Sequence, residues 1–412
     1  MVEMNQFYEN LLGLKDGWAV ESVNQNNSSQ EITVKVTYTR EEKYLCPKCG
    51  RKVFLNDWRE RTIQHLDTCE YKTYLVVKYP RVKCPLCGTQ AIIPPFAAAN
   101  SRFTKVFERR IIELCHSSNV QKVARDLDLN WHVVAGIKER ALKRGLKRQR
   151  RGRKMKVYNI GVDETSYQKN HSYSTIISDM DRRTVLAAFP GKDSECLINW
   201  FNNQNFFDFT ELKSISMDMS PAYLIALRAI FPNANELICF DRFHIAQMFC
   251  KAVDSIRMRE QVELEKKGEN VFERTRFDWL RNSERTDNST PRRRNFLELT
   301  KRPYKTTEAW RLKERASKLW DFDKEDSAKR AWKNLLKRLT DTDIGELKKL
   351  AKSIQYHLAG ILNAIKLRAN NGLAEARNSC IQRVKYMACG YRNKTRFNLE
   401  IIFQWGGLNM AF

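Results

Sequence analysis

The stretch Val157-Tyr-Asn-Ile-Gly-Val-Asp163 is an apolar strand pattern that ends in an aspartate. Ser214-Ile-Ser-Met-Asp218 repeats this pattern, and Glu375 lies in a later helix-like stretch. A carboxylate at a buried strand end is costly unless a cation meets it. Acidic oxygens gathered at one sheet edge are the ligands that hard divalent cations such as Mg²⁺ or Mn²⁺ prefer. The pattern therefore predicts a metal site formed by Asp163, Asp218 and Glu375.

Five strand patterns surround these acids. Helical stretches at 194–204 and 220–230 separate the last two of them, and the strand patterns are 157–163, 172–178, 183–189, 214–218 and 236–240. Three antiparallel strands followed by alternating helix and strand are typical of a ribonuclease H-like α/β core. The first and fourth strands are adjacent in that layout, so Asp163 and Asp218 are expected to lie side by side.

Asp241 competes with Asp218 for the second carboxylate position, because it ends the fifth strand pattern. The topology favours Asp218, since the fourth strand lies next to the first. Asp241 and His244 are expected to form a hydrogen-bonded pair that orients the site or meets the scissile phosphate; the alternative for His244 is an ordinary interior histidine. Glu164 is expected on the opposite face of its strand.

The composition restricts the class of partner. The chain has 412 residues, 42% of them apolar, and its 73 Lys+Arg against 48 Asp+Glu give a formal charge of +25. Such an excess favours a nucleic-acid polyanion through counterion release. No apolar run approaches the roughly 20 residues of a membrane-spanning helix, and the amino terminus does not resemble a signal peptide. We expect a cytoplasmic, nucleoid-associated protein without a membrane partner.

Four of the eleven cysteines form two matching pairs, Cys46-Pro-Lys-Cys49-Gly50 and Cys84-Pro-Leu-Cys87-Gly88. Each Cys-x-x-Cys turn brings two thiolates to one tetrahedral ion, and strand patterns separate the two pairs. This spacing predicts a zinc ribbon with structural Zn²⁺ bound by Cys46, Cys49, Cys84 and Cys87.

Two short amphipathic segments, 120–129 and 130–138, meet at a polar break and predict a helix-turn-helix with Asn130 as a helix cap. The following stretch, 138–156, carries eleven basic residues and one acidic residue. A solvated linker is the alternative to phosphate contact there. The predicted DNA-contacting residues are Asn130, Trp131, His132, Lys138, Arg140, Lys147, Arg148, Arg150, Arg151 and Arg153.

These patterns divide the chain into five parts. A β-rich module with the zinc ribbon covers 1–95, and the helix-turn-helix with its basic linker covers 96–156. The catalytic core begins at 157–245, is interrupted by a helical insertion at 246–368, and ends with the final helix and a basic tail at 369–412. The tryptophans of the insertion are expected to be core anchors, with base stacking as the alternative; they are Trp279, Trp310, Trp320 and Trp332.

In this order, the motifs resemble those of bacterial DDE transposases of the ISL3 insertion-sequence family. Besides the cysteine pairs they are Gly161-Val-Asp-Glu164, Met217-Asp-Met-Ser-x-Ala-Tyr223, Phe240-Asp-Arg-Phe-His244, Asn371-Gly-x-x-Glu-x-x-Asn378 and Gly390-Tyr-Arg-Asn393. The resemblance spans nearly the whole chain and implies the catalytic triad Asp163, Asp218 and Glu375. Asp241-x-x-His244 corresponds to a signature between the second and third acids. Gln382 and Tyr386 stand where the family usually has basic residues.

The resemblance implies a DNA transposase that binds the terminal inverted repeats of its element as a dimer or larger assembly. Metal ions held by the triad activate water for cleavage, and the freed 3′-hydroxyl then attacks target DNA. Two other functions remain open. One is a regulator that binds specific DNA without cutting it, and the other is a ribonuclease H-like nuclease that cuts without strand transfer.

Overall fold

The computed structural model describes residues 2–15, 17–40, 44–168, 172–283, 290–369 and 372–412. These residues form two compact units, one made of Met1–Arg148 with Asn409–Phe412 and the other of Gln149–Leu408. No helix among the described residues is both long enough and apolar enough to cross a bilayer.

The first unit begins with a β-rich part that also contains one helix. Its elements are α1 (Val2–Leu12), β1 (Trp18–Asn26), β2 (Glu31–Tyr38), β3 (Tyr44–Leu45), β4 (Lys52–Gln64), β5 (Lys72–Cys84) and β6 (Gly88–Ala91). The strand order is β1-β2-β5-β4-β3, and β6 pairs with the end of β5. Helix α1 was not expected from the sequence. Its Tyr8 and Leu12 pack into the core of the sheet with Val34 and Leu75.

Three helices complete the first unit, α2 (Lys105–Ser117), α3 (Val120–Asp126) and α4 (Trp131–Arg151). Val123 and Ala124 of α3 and Val134 and Ile137 of α4 are buried, as the helix-turn-helix pattern predicts. The stretch expected to be a basic linker is different in the structure, because α4 continues without a break to Arg151. Lys and Arg are good helix formers, so the charge run extends the helix instead of ending it.

The second unit is built on a five-stranded sheet. It contains β7 (Met155–Lys156), β8 (Asn159–Gln168), β9 (Ser172–Asp179), β10 (Thr184–Pro190), α5 (Ser194–Asn203), β11 (Phe207–Asp208), β12 (Ser214–Met217), α6 (Pro221–Ile230), α7 (Ala234–Leu237) and β13 (Ile238–Phe240). The sheet order is β10-β9-β8-β12-β13, and β7 pairs separately with β11. The pairs β10–β9 and β9–β8 are antiparallel, whereas β8, β12 and β13 run parallel.

Helices account for the remainder of this unit. They are α8 (Arg242–Glu265), α9 (Arg276–Leu280), α10 (Pro291–Leu299), α11 (Lys305–Lys318), α12 (Glu325–Asp341), α13 (Gly345–Lys366), α14 (Gly372–Met387) and α15 (Lys394–Trp405), with a 3-10 turn at Leu319–Asp321. One continuous core runs from the sheet into α8–α13, so the helical stretch expected as an insertion domain shares its core with the sheet. Trp279 and Trp332 are fully buried in this core, and Trp310 and Trp320 pack against it.

Candidate active site and metal centre

Three aspartates lie at the same level of three neighbouring strands. The parallel register joins Met217 of β12 to Val162 of β8 on one side and to Phe240 of β13 on the other. The residue that follows each of these three paired positions along the chain is an aspartate. These aspartates are Asp163, Asp218 and Asp241. Residues at equivalent positions of adjacent strands project to the same face of a sheet. The structure therefore groups three carboxylates at one sheet edge.

Asp163 does not end its strand, contrary to the expectation from the sequence. Strand β8 continues to Gln168 because it stays paired with β9 beyond Asp163. The parallel strands β12 and β13 both stop at this level. Asp163 is thus held in regular strand backbone where the two parallel strands of the sheet end, and β12 is the one directly beside it.

Two hydrogen bonds orient the Asp163 carboxylate. Its Oδ1 accepts from the backbone N–H of Glu164 at 2.8 Å, and its Oδ2 accepts from the side-chain amide of Asn378 at 2.8 Å. Burial raises the pKa of Asp163 to about 6, and the negative charges of Asp218 and Asp241 act in the same direction. His244 is close enough to oppose this increase. A carboxyl crowded in this way favours a bound cation.

Asp218 and Asp241 each use one oxygen in a local turn. Oδ1 of Asp218 accepts from the N–H of Ser220 at 3.0 Å, and Oδ1 of Asp241 caps α8 by accepting from the N–H of Phe243 at 3.1 Å. Oδ2 of Asp241 is buried and has no hydrogen-bond partner among the described residues. The expected hydrogen bond between Asp241 and His244 is therefore not formed.

The chemistry of these three carboxylates suits a divalent cation. Its donors are oxygens, which suit Mg²⁺ or Mn²⁺. The like charges that raise the pKa of Asp163, together with the unpartnered Oδ2 of Asp241, are unfavourable in a buried site without a compensating positive charge. A metal ion at this sheet edge would remove both penalties.

The opposite face of β8 carries Glu164, as the alternation predicts. Glu164 pairs across the strands with Thr175, whose hydroxyl lies 3.0 Å from the buried hydroxyl of Tyr223. Burial raises the pKa of Glu164, with a smaller contribution from Asp218 and opposition from Lys192. Burial also raises the pKa of Tyr223. This face of β8 packs against α6, and Asp163 lies on the other face of the strand.

Helix α14, which carries Glu375, is attached to β8 by a row of polar side chains. Asn378 also donates to the carbonyl of Glu164 at 3.2 Å. Gln382 donates to the hydroxyl of Thr165 at 2.9 Å, and Lys385 donates to the carbonyl of Ser166 at 2.9 Å. Gln382 therefore attaches the helix to the strand, which explains why an uncharged amide suits this position.

Other features of α14 are also particular to the fold. Tyr386 is 85% exposed. Arg377 is buried and donates to the hydroxyl of Ser178 and to the carbonyl of Arg183, so it attaches α14 to the sheet. Burial lowers the pKa of Arg377. The side chain of Glu375, as well as Asn370 and Asn371, lies outside the described residues.

Asn378 is the site residue that the sequence analysis missed as a functional group. The available signal was its spacing, because it follows Glu375 by three residues, and residues three apart lie on one face of a helix. Any polar residue facing β8 would satisfy that pattern, so the spacing alone does not identify its partner.

The four predicted zinc ligands come together in the first unit. The sulfur atoms of Cys46, Cys49, Cys84 and Cys87 all lie within 4.8 Å of one another, and Cys49 Sγ is 3.6 Å from Cys84 Sγ. A tetrahedral Zn²⁺ with four thiolates requires sulfur atoms about 3.8 Å apart. Burial and the neighbouring cysteines raise the pKa of Cys87 to about 12, whereas burial of Cys46 is outweighed by hydrogen bonds within the cluster, which lower its pKa to about 7. The donor set fits zinc.

The helix-turn-helix positions its predicted DNA-contacting residues unequally. The side chain of Asn130 accepts from the N–H of His132 at 2.8 Å and thus caps α4 as predicted. Arg140 pairs with buried Glu108 at 2.9 Å, and Arg148 donates to the carbonyl of Ala411 at 2.6 Å. These two arginines have intramolecular partners. The exposed members of the predicted set are Asn130, Trp131, His132, Arg140, Lys147, Arg148, Arg150, Arg151 and Arg153, whereas Lys138 is half-buried.

Comparisons with known proteins agree with these features. Residues 160–401 match a family model described as "Transposase". Residues 43–87 match the zinc-finger of transposase IS204/IS1001/IS1096/IS1165, and residues 92–140 match the helix-turn-helix domain of transposase family ISL3.

Two relatives have similar sequences. The transposase for insertion sequence element IS1001 of Bordetella parapertussis is 26% identical over 398 residues, which cover 95% of this chain and 96% of the relative. The transposase for insertion sequence element IS1557 of Mycobacterium tuberculosis is 27% identical over 221 residues, 52% of this chain and 48% of the relative.

Proposed function

The chain belongs to the ISL3 family of transposases, enzymes that cut and transfer DNA, and we propose that Asp163, Asp218 and Glu375 form its catalytic metal site. The observation that carries this proposal is the register that places Asp163 and Asp218 at one level of adjacent parallel strands. The sheet order and strand directions also support a ribonuclease H-like arrangement of the core.

Glu375 is proposed as the third ligand because its helix is attached to the strand of Asp163. Asn378, which donates to Asp163, lies one helical turn after Glu375 in α14. Two residues three apart on a helix share a face. The three-residue spacing therefore predicts that Glu375 shares a helix face with Asn378.

The carboxylates of the proposed site would still be able to bind a divalent ion while they accept these hydrogen bonds. When bound, such ions lower the pKa of water and stabilise the leaving oxygen of the scissile phosphodiester. Asp163 is oriented from both sides by Glu164 and Asn378, and Asp218 is oriented by Ser220. Preorganised ligands of this kind hold the reacting groups in line and lose little entropy in the transition state.

The chemistry consists of two successive displacements at phosphorus. Water attacks the phosphodiester at the element end, and the bond to the 3′-oxygen breaks to give a 3′-hydroxyl. That hydroxyl then attacks a phosphodiester of the target DNA, whose own 3′-oxygen leaves. The number of phosphodiester bonds is conserved in the second step, so transfer requires no ATP.

Asp241 and His244 are proposed to support this site. Asp241 fixes the start of α8 beside the cluster, and His244 lies near enough to influence the pKa of Asp163. A neutral or charged imidazole there would contact a phosphate oxygen of the substrate, which is a role that needs no hydrogen bond to Asp241.

The zinc ribbon and the helix-turn-helix are proposed to read the terminal inverted repeats. Lys147, Arg151 and Arg153 are exposed and would bind phosphates, which position a protein on DNA. Recombination joins two element ends to one target, so we propose that at least two copies of the chain act together. The protein is expected to act in the cytoplasm, where its DNA lies.

Cleavage of a duplex that carries the repeats flanking the gene tests this function. Wild type, Asp218→Asn and Asp241→Asn are compared with Mg²⁺ or Mn²⁺, and with and without a target duplex. We expect wild type to cut and join, Asp218→Asn to bind without cutting, and Asp241→Asn to retain part of the activity.

The other outcomes are equally informative. Loss of cutting in Asp241→Asn with activity retained in Asp218→Asn would move the second ligand to Asp241. Specific binding without any cutting by wild type would indicate a regulator. Cutting without joining to the target duplex would indicate a nuclease.

A further inference from the structure

The zinc ribbon presents an outward face whose residues follow from strand pairing. Val53 of β4 and Val82 of β5 point inward and pack with Tyr44 around the zinc ligands. Alternation along a strand then places Lys52 and Phe54 on the outside. Across the strands, Leu45 pairs with Lys52, and Phe54 pairs with Lys83. We call Leu45, Lys52, Phe54 and Lys83 the ribbon face.

The apolar side chains of the ribbon face are exposed to an unusual degree. Phe54 is 87% exposed and Leu45 is 52% exposed. Leu86, in the turn between Cys84 and Cys87, is 66% exposed. The ribbon does not need Phe54 for its own folding, because its interior is already filled by Tyr44, Val53 and Val82. An aromatic ring that points outward from a strand beside the zinc ligands suits contact with a partner.

The charge around the ring indicates what that partner is. Segments 44–56 and 81–91 contain five basic residues and no acidic residue. Arg81 is paired with Asp57. The remaining four basic residues are exposed and make no ion pair among the described residues; they are Lys48, Arg51, Lys52 and Lys83. A protein partner or a second copy of this basic chain, at +25, would need an acidic patch to match, whereas DNA supplies phosphates on both sides of a groove.

We propose that the ribbon face binds duplex DNA at the element end, with Phe54 inserted into a groove and Lys52 and Lys83 on the flanking phosphates. This inference rests on the proposed function and adds the contacting surface. Lys52 is two residues from Phe54 on the same strand and Lys83 is opposite it, so the cations flank the ring from two directions. Apolar wedges flanked by basic side chains are used in this way by groove-binding proteins.

Two kinds of substitution separate the roles of ring and cations. Affinity of the full-length protein for the repeat duplex is measured by fluorescence anisotropy over a series of NaCl concentrations. Phe54→Ala is expected to weaken binding roughly tenfold without changing the salt dependence, because stacking and apolar contact release no counterions. Lys52→Ala and Lys83→Ala are each expected to lower the slope of log Kd against log salt by roughly 0.9.

Phe277→Ala is the matched control, since Phe277 is another exposed phenylalanine beside an arginine, at 58% exposure. It is expected to leave both affinity and slope unchanged. Zinc content of every variant is measured, and one Zn²⁺ per chain verifies that the ribbon remains folded.

A photocrosslinking residue, p-benzoylphenylalanine, in place of Phe54 identifies the partner directly. Crosslinks to the repeat duplex support the proposal, whereas crosslinks to a second protein chain with DNA present would overturn it. The proposal would also be overturned if Phe54→Ala bound the repeat duplex within twofold of the wild-type affinity. In that case, cleavage of the duplex by wild type would still support the transposase function. Absence of both binding and cleavage in wild type would instead reject the proposed function and this inference with it.

Discussion

Replacing Asn378 tests whether the second attachment of the Asp163 carboxylate matters for catalysis. The Asn378 amide is the side-chain donor to Oδ2 of Asp163, at 2.8 Å. A hydrogen bond to a charged group contributes about 1.5–3 kcal/mol. Asn378 is half-buried, so the lower part of this range applies, about 1.5–2 kcal/mol. This corresponds to a loss of roughly 10- to 30-fold in rate.

The assay is single-turnover cleavage of the repeat duplex over a range of Mg²⁺ concentrations. Asn378→Ala is expected to be slower and to require more Mg²⁺, because the freed carboxylate is no longer preorganised for the ion. Asn378→Asp is expected to be slower still at low Mg²⁺, since a second anion then faces Asp163. Both variants should bind the duplex as tightly as wild type.

Gln382→Ala is the control for attachment of the helix. Gln382 holds the same helix to the same strand one turn later, at 2.9 Å from Thr165 Oγ1, but does not touch Asp163. It is expected to lower the rate less than threefold. The reasoning is refuted if Asn378→Ala cuts like wild type at limiting Mg²⁺, or if Gln382→Ala loses activity to the same extent.

Three further predictions concern the zinc site, the carboxylates and the sheet. Cys84→Ser or chelation should remove one Zn²⁺ and unfold the ribbon, measured as zinc content and as loss of repeat binding. In metal-free protein, carbon-13 NMR should show Asp163 titrating near pH 6, and Asp218→Asn should lower that value. Because the folded-state pKa is raised, the folded state binds more protons than the unfolded state between about pH 4 and pH 6. Stability should therefore fall as pH rises through that window, by up to about 3 kcal/mol, in urea titrations. Gly360→Ala should destabilise the second unit by about 1–3 kcal/mol, because its Cβ would lie 2.5 Å from Cδ2 of Phe240; a thermal midpoint equal to that of wild type would contradict this packing.

Several features of the chain were predictable because short segments specify them. The two Cys-x-x-Cys turns place thiolates within reach of one ion whatever surrounds them, and the structure brings all four sulfur atoms together. The helix-turn-helix followed from two amphipathic segments and the cap at Asn130. The five strands of the second sheet were located because apolar runs with turn residues between them are local signals.

Other features depend on contacts between residues distant in sequence. Asp163 was expected at a strand end, yet β8 continues because β9 remains paired with it after β12 stops. The basic run after the second amphipathic segment was expected as a linker, yet α4 continues through it as far as Arg151, since Lys and Arg suit both a helix and a solvated loop. The helical stretch was expected as an insertion, and the sequence did not indicate that its apolar faces join the core of the sheet.

The sequence by itself determined which residue types are present for metal and DNA chemistry, and roughly which elements carry them. The adjacency of Asp163 and Asp218 was expected from the strand order, but only the tertiary structure decided that Asp241 also lies level with them, and that Asn378 donates to Asp163 across 215 residues of chain. The physical reason is that alternation and helical periodicity record only which face of an element is buried. The register between strands and the partner of a helix are set by packing over the whole core, where many pairings satisfy the same local pattern.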